Sequence, residues 1–221
     1  MTSRELRSLR DRWTSYERLP TLSPHWYWRP GWRPGRTFYT WHLTFVGQAT
    51  LHGLVADLQR SLRGPELDPV PPDGLHLTLQ GVGFTDEVDT ERITAVRRAA
   101  VKRCARLTPF DLTLGPVDPD PEGVGLLVRP WDAVERLRHA LRAATAAACG
   151  TVPEPADGFR PHVTIFYSGA PAAVHAVRER LRPLRDRPPV DVTVRHVSLI
   201  ALRREERRYS WDTVADVRLG G

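Results

Sequence analysis

The sequence predicts a mixed α+β fold of two similar lobes, each an antiparallel sheet with helices on its outside, facing a central cleft. Three observations predict it. Helical stripes and short alternating strands follow one another along the 221 residues. Two segments of one form, Leu75-His76-Leu77-Thr78-Leu79 and Pro161-His162-Val163-Thr164-Ile165, recur 86 residues apart. Each runs into a glycine, then a helix, then a pair of strands, so the chain reads as two related halves.

In order along the chain, residues 3–18 read as a helix, with Leu6, Leu9, Trp13 and Tyr16 at helical spacing. An irregular stretch follows from Pro20 to Arg36, holding the aromatic and arginine knot Trp26-Tyr27-Trp28-Arg29-Pro30-Gly31-Trp32-Arg33. Residues 1–37 are thus expected as a helix and a Pro-rich extension, and residues 38–221 as the bilobal body. A strand at 38–46 puts Trp41, Leu43 and Phe45 on its core side, and a helix runs over 50–63. The proline-rich loop from Gly64 to Gly74 leads into the first motif strand. Asp89 or Thr90 caps a helix running to Leu107, with Ile93, Val96, Ala100, Val101 and Cys104 as its buried stripe. Strands near 109–117 and 123–129 are joined by a turn at Asp118-Pro119-Asp120-Pro121-Glu122-Gly123. A helix from Asp132 to Cys149 ends at Gly150, and the second motif strand spans 159–168. A helix at 171–184 and strands at 190–202 and 208–218 complete the reading.

The two recurrent segments carry the chemistry. Side chains alternate along a strand, so His76 and Thr78 share one face while Leu77 and Leu79 bury on the other. His162 and Thr164 lie likewise opposite Val163 and Ile165. With about half of residues apolar and threonine at roughly one in twenty, eight histidines start about 0.1 such tetrads by chance. Three are present, because Trp41-His42-Leu43-Thr44-Phe45 also fits. An imidazole beside a hydroxyl, presented from two lobes, is equipment for acid–base chemistry at phosphorus. His42 and Thr44 either line the cleft without reacting or contact substrate from the neighbouring strand. His196, alternating with Ser198, reads as a peripheral cleft residue, and His25, His52, His139 and His175 sit in loop or helix contexts without a motif.

Composition narrows the setting. Hydrophobic content of 41% and charged content of 26% are those of a soluble globular protein. No apolar run is long enough to span a membrane, and the start lacks the apolar stretch of a signal peptide. Cys104 and Cys149 fall in predicted helices and need not pair, which fits a reducing, cytoplasmic setting. The net charge is +6 and Lys102 is the only lysine, so the positive charge is nearly all arginine, the better fork for phosphate oxygens. No Cys-x-x-Cys and no His-Glu-x-x-His occurs, and the threonine in each tetrad is a poor zinc ligand. No metal and no cofactor is expected.

At these residues the chain resembles the 2H phosphoesterase superfamily, the group of 2′-5′ RNA ligase-like proteins and cyclic nucleotide phosphodiesterases. The likeness covers roughly residues 38–219 and rests on Pro-Pro-Asp-Gly-Leu-His-Leu-Thr-Leu for the first tetrad and Phe-Arg-Pro-His-Val-Thr-Ile for the second. It implies a 2H phosphoesterase-like fold, with His76, Thr78, His162 and Thr164 as the catalytic residues. Gln80 and Gly81 stand where many relatives carry a basic residue and an aromatic, and Phe166 and Tyr167 where some place a basic residue. Gln80, Phe166 and Tyr167, with His42 and Thr44, are the expected substrate contacts. The expected reaction is metal-independent opening of a 2′,3′-cyclic phosphate or a related cyclic or 2′-5′ phosphodiester. One neutral histidine serves as base and one protonated histidine as acid, with a rate maximum around pH 6–8. The expected partners are RNA ends or small cyclic nucleotides, bound by a monomer. RNA ligation with a 2′-5′ bond, and a non-catalytic RNA- or nucleotide-binding module, are the rivals. The aromatic knot either stacks a nucleobase or packs as an arm against the body.

Overall fold

The protein, described over residues 3–220 by a computed structural model, orders its elements much as the periodicities predict. They are α1 (Arg4–Glu17), β1 (Phe38–Thr44), α2 (Ala49–Leu62), β2 (Leu67–Pro69), β3 (His76–Phe84), α3 (Thr90–Cys104), β4 (Phe110–Asp120) and β5 (Gly123–Arg129). Then come α4 (Trp131–Cys149), β6 (His162–Ser168), α5 (His175–Leu181), β7 (Val190–Val194), β8 (His196–Glu205) and β9 (Arg208–Arg218). Met1, Thr2 and Gly221, at the ends of the ranges expected for arm and body, lie outside the described residues.

The strands form two antiparallel sheets, one ordered β3-β1-β8-β9 and the other β2-β6-β5-β4-β7. Helices α3 and α4 pack against each other and cover the first sheet at β9 and β3, while α1, α2 and α5 lie on the side of the second. Each tetrad strand therefore sits in its own sheet, but the halves of the chain are exchanged. The β4–β5 hairpin that follows the first tetrad pairs with β6, and the β8–β9 hairpin that follows the second pairs with β1.

The single strand expected at 190–202 is two strands in different sheets. Val192 and Val194 are buried at even positions, and Val197 and Leu199 at odd ones. Arg195 sits at that change of parity, where the chain crosses from β4 to β1 as its neighbour. Two smaller differences have local causes. Val101 is 49% exposed because it lies a helical step of ~100° beyond the buried Ala100. The turn expected from Asp118 begins only after Asp120, since β4 stays paired with β5 as far as Asp120 and Gly123, beyond Leu114 where its other partner β7 ends. Pro119, which has no N–H, is accommodated on that open stretch of edge.

Helix α1 closes the same edge. Its N-cap Ser3 accepts from the Leu6 amide, and Leu9, Trp13 and Tyr16 form the buried stripe. Trp13 Nε1 donates to the Val117 carbonyl at 3.2 Å and Arg12 Nη2 to the Pro119 carbonyl at 2.8 Å, so side chains replace the missing ladder partner. Glu5 accepts from the Trp131 amide at 3.0 Å and caps α4, which has no capping side chain of its own. Residues of α1 thus belong to the same hydrophobic core as both sheets. Trp13→Ala is expected to lower unfolding free energy by about 3–5 kcal/mol, read from urea midpoints. A loss under about 1 kcal/mol would show α1 to be a separable appendage.

Candidate active site

The tetrad strands present their side chains as period two requires. Leu77, Leu79, Val163 and Ile165 are buried, while His76, Thr78, His162 and Thr164 all line one cavity of about 610 Å³ between the sheets. Each imidazole is held in the same way. His76 Nδ1 lies 2.7 Å from the Gly74 carbonyl and His162 Nδ1 lies 3.0 Å from the Arg160 carbonyl. A carbonyl can only accept, so Nδ1 carries the proton in both neutral rings and Nε2 keeps the lone pair.

The two settings differ beyond that. His76 is half-buried beneath aromatic rings. His42 stacks on it at 4.4 Å with an interplanar angle of 6°, and Tyr209 and Trp211 meet it edge-on. Desolvation, opposed by the Gly74 carbonyl and joined by the charge of His162, lowers its pKa to about 4. His162 is open to solvent at one face. Crowding by the cleft walls lowers its pKa, the Arg160 carbonyl opposes this, and Arg160 lowers it while Asp118 and Asp120 raise it. Asp118 is buried and accepts from Arg12 Nε at 3.0 Å and from Arg160, which anchors the approach to the second tetrad.

Not every expected contact reaches the cavity, and the main reason is the same in both lobes. His42 pairs with Thr78 but Trp41 with Gln80, so Leu79 is an extra residue in the ladder. Gly125 pairs with Thr164 but Val124 with Phe166, so Ile165 is extra. Each bulge reverses the alternation just past the tetrad. Gln80 is consequently buried, turned to the helix side, donating to Glu154 and accepting from Arg142 of α4 at 2.8 Å. Phe166 is likewise buried in the core. Neither lines the cavity. Tyr167, one step on, returns to the cavity wall. Thr44, the ladder partner of His76, lies two residues along β1 from His42 and lines a separate pocket with His196 and Ser198, which none of the four tetrad residues lines. His42 borders the cavity but has no exposed surface, being covered by His76, Trp211 and Thr78.

Several wall residues carry no motif. The arm crosses from one sheet to the other along a chain of hydrogen bonds. Arg204 Nε donates to Tyr209 Oη at 3.1 Å, and Tyr209 to His25 Nε2 at 2.9 Å. His25 Nδ1 then donates to Glu122 at 2.9 Å, which also accepts from Arg29 at 2.7 Å. His25 stacks on Tyr167 at 4.1 Å. The aromatic knot therefore divides. Trp26 is pinned by Asp68 at 2.8 Å, Trp32 packs on Phe38 and Phe84 at one end of the cavity, and Tyr27 and Trp28 stay about half exposed at 50% and 51%. Arg29 and Arg204 line the cavity, placing positive charge there from outside the tetrad strands. Only the density of aromatic and arginine residues in the arm signals any of this in the sequence. Among the described residues, no three His, Cys, Asp or Glu side chains group as metal ligands, and no helix is long and apolar enough to cross a membrane.

A fold of two antiparallel sheets presenting paired His-x-Thr strands to one cavity defines a class of protein, and family comparison identifies it. Residues 48–206 match the model of the 2′-5′ RNA ligase superfamily, and the chain belongs to that family, the 2H phosphoesterases. Among solved structures, that of E. coli LigT with 3′-AMP is similar at TM-score 0.65 and 22% identity, covering 84% of this chain and 99% of that one. TT0787 of Thermus thermophilus is similar at TM-score 0.61 and 24% identity, covering 84% and 98%. No curated protein sequence matches this one.

Proposed function

We propose that the protein is a phosphodiesterase that opens a 2′,3′-cyclic phosphate, or a related cyclic or 2′-5′ phosphodiester of RNA or nucleotides, without a metal. The observation that carries this reading is the pair of tetrads lining one cavity, each imidazole held through Nδ1 with Nε2 free. A water oxygen attacks phosphorus while one Nε2 takes its proton. The P–O bond to the ribose oxygen breaks on the opposite side, and that oxygen takes a proton from the other imidazole. A phosphomonoester and a free hydroxyl result. His76, desolvated and neutral, suits the base, and His162, open to water and near Asp118 and Asp120, suits the acid. The Thr78 and Thr164 hydroxyls donate to the non-bridging oxygens, where charge builds. Arg29 and Arg204 supply the background positive charge that an anionic substrate needs. A nucleotide occupant accords with LigT, whose structures include complexes with 3′-AMP and ATP.

Purified protein should open cyclic nucleotides or 2′,3′-cyclic phosphate RNA ends at an unchanged rate in EDTA. The kcat/KM profile should be a bell. Both histidines sit below their ordinary 6.5, so its maximum should fall below pH 6.5 and not at pH 6–8 as sequence alone suggests. Activity abolished by chelator and restored by zinc or manganese would overturn the mechanism.

A further inference from the structure

We infer that His42 is a positioning residue that donates its Nε2–H to Thr78 and so forces the Thr78 hydroxyl proton to point into the cavity. The inference rests on the phosphodiesterase reading above. His42 Nε2 is 3.1 Å from Thr78 Oγ1, and its Nδ1 is buried with no partner. The ring has no exposed surface and lies face to face with His76. Burial and the neighbouring imidazole keep it neutral, so it carries one N–H.

Two tautomers are open to it. With the proton on Nδ1, a buried N–H would have no acceptor and Thr78 would turn its hydroxyl away from the cavity towards Nε2. With the proton on Nε2, only a lone pair is left unpartnered and Thr78 becomes the acceptor. Buried orphan N–H groups are rarer than buried orphan acceptors, so the Nε2–H form is selected. A threonine oxygen that accepts from His42 has its own proton free for a phosphate oxygen. Orientation is thereby fixed before substrate arrives, which is where such a donor gains most.

No histidine stands at that place in the second lobe, where the side-chain partner of Thr164 is Tyr167. The strand partner of Thr164 is Gly125, where His42 is the partner of Thr78. A Cβ at Gly125 would meet the Val163 carbonyl at 3.0 Å, so a side chain there is already crowded. A histidine donor to the threonine therefore belongs to the first tetrad.

Side-chain 15N NMR of the intact protein at pH 7 tests the tautomer without reference to activity. His42 should show the Nε2–H form and His76 and His162 the Nδ1–H form. An Nδ1–H form at His42 would overturn the inference. Kinetics test the consequence. His42→Phe keeps the stack and removes the donor, so kcat should fall about tenfold with KM nearly unchanged. His42→Gln, whose amide nitrogen can occupy the place of Nε2, should restore most of it. Thr78→Val should cost about 10²-fold, and adding His42→Phe to it should cost nothing further. Losses that multiply in the double variant would overturn the relay. A wild-type protein inactive on every cyclic and 2′-5′ substrate would instead overturn the functional reading, and the NMR result would still decide the tautomer.

Discussion

His76→Ala and His162→Ala should each lower turnover by at least about 10²-fold, the scale set by loss of one general acid or base. Each change removes a ring at the cavity surface whose anchoring bond goes to a local carbonyl, Gly74 or Arg160. Neither ring supports the buried core, so melting temperatures should stay within a few degrees of wild type. On the proposed mechanism His76 and His162 act in one step, so the double variant should be little worse than either single one. His42, which touches no substrate atom in this scheme, should cost far less when replaced. Either alanine variant retaining a tenth of wild-type turnover would remove the two-histidine mechanism. An inactive His42→Ala beside an active His76→Ala would show that the working tetrad is the one on β1.

Acid should destabilise the fold well above the range where carboxylates titrate. The folded-state pKa values of His42 and His76 lie below 6.5, the latter at about 4, chiefly through desolvation. Below pH 6.5 the unfolded chain binds protons that the folded chain refuses. Their contribution is fully present above that pH and is lost as pH falls. Each group costs about 1.4 kcal/mol per pH unit in this window. His76 is partly open to solvent, so its share is discounted, and the pair should cost about 2–4 kcal/mol between pH 7 and pH 5. That is a large part of the stability of a typical domain. Urea titrations at the two pH values measure it together with the share of His25, whose pKa burial lowers to about 3, and His42→Phe should shrink the difference. Equal stabilities at pH 7 and pH 5 would show that both rings protonate freely in the fold.

Most of the architecture was legible because it follows simple periods. The stripe Leu9, Trp13 and Tyr16 gave α1, and the alternation of Leu77 with Thr78 and of Val163 with Thr164 gave the two tetrad strands. The crossing at Arg195 was also written in the sequence, as the shift of buried valines from even to odd positions. A reading of strand propensity passes over it. The bulges at Leu79 and Ile165 had no local mark, since an apolar residue after a threonine looks the same whether or not it is paired. That is why Gln80 and Phe166 were placed on the wrong face. The contacts of the arm were illegible for another reason. His25, Arg29 and Trp32 reach the cavity through hydrogen bonds and ring contacts to Glu122, Tyr209 and Phe84, between about 50 and 185 residues away. Contacts of that range leave no periodicity to read.

The exchange of strands between sheets decides when, during synthesis, the site can exist. A chain leaving the ribosome carries both tetrads once β6 has emerged. The sheet that holds His76 is still incomplete then, because β8, the second neighbour of β1, comes next but one among the strands. Trp211 and Tyr209, which enclose His76 and tie the arm across the cleft, arrive only with β9. Possession of both histidines and completion of the walls around them are therefore separate events. A chain halted before His196 holds every residue of the two tetrads but lacks the strand and the rings that enclose His76.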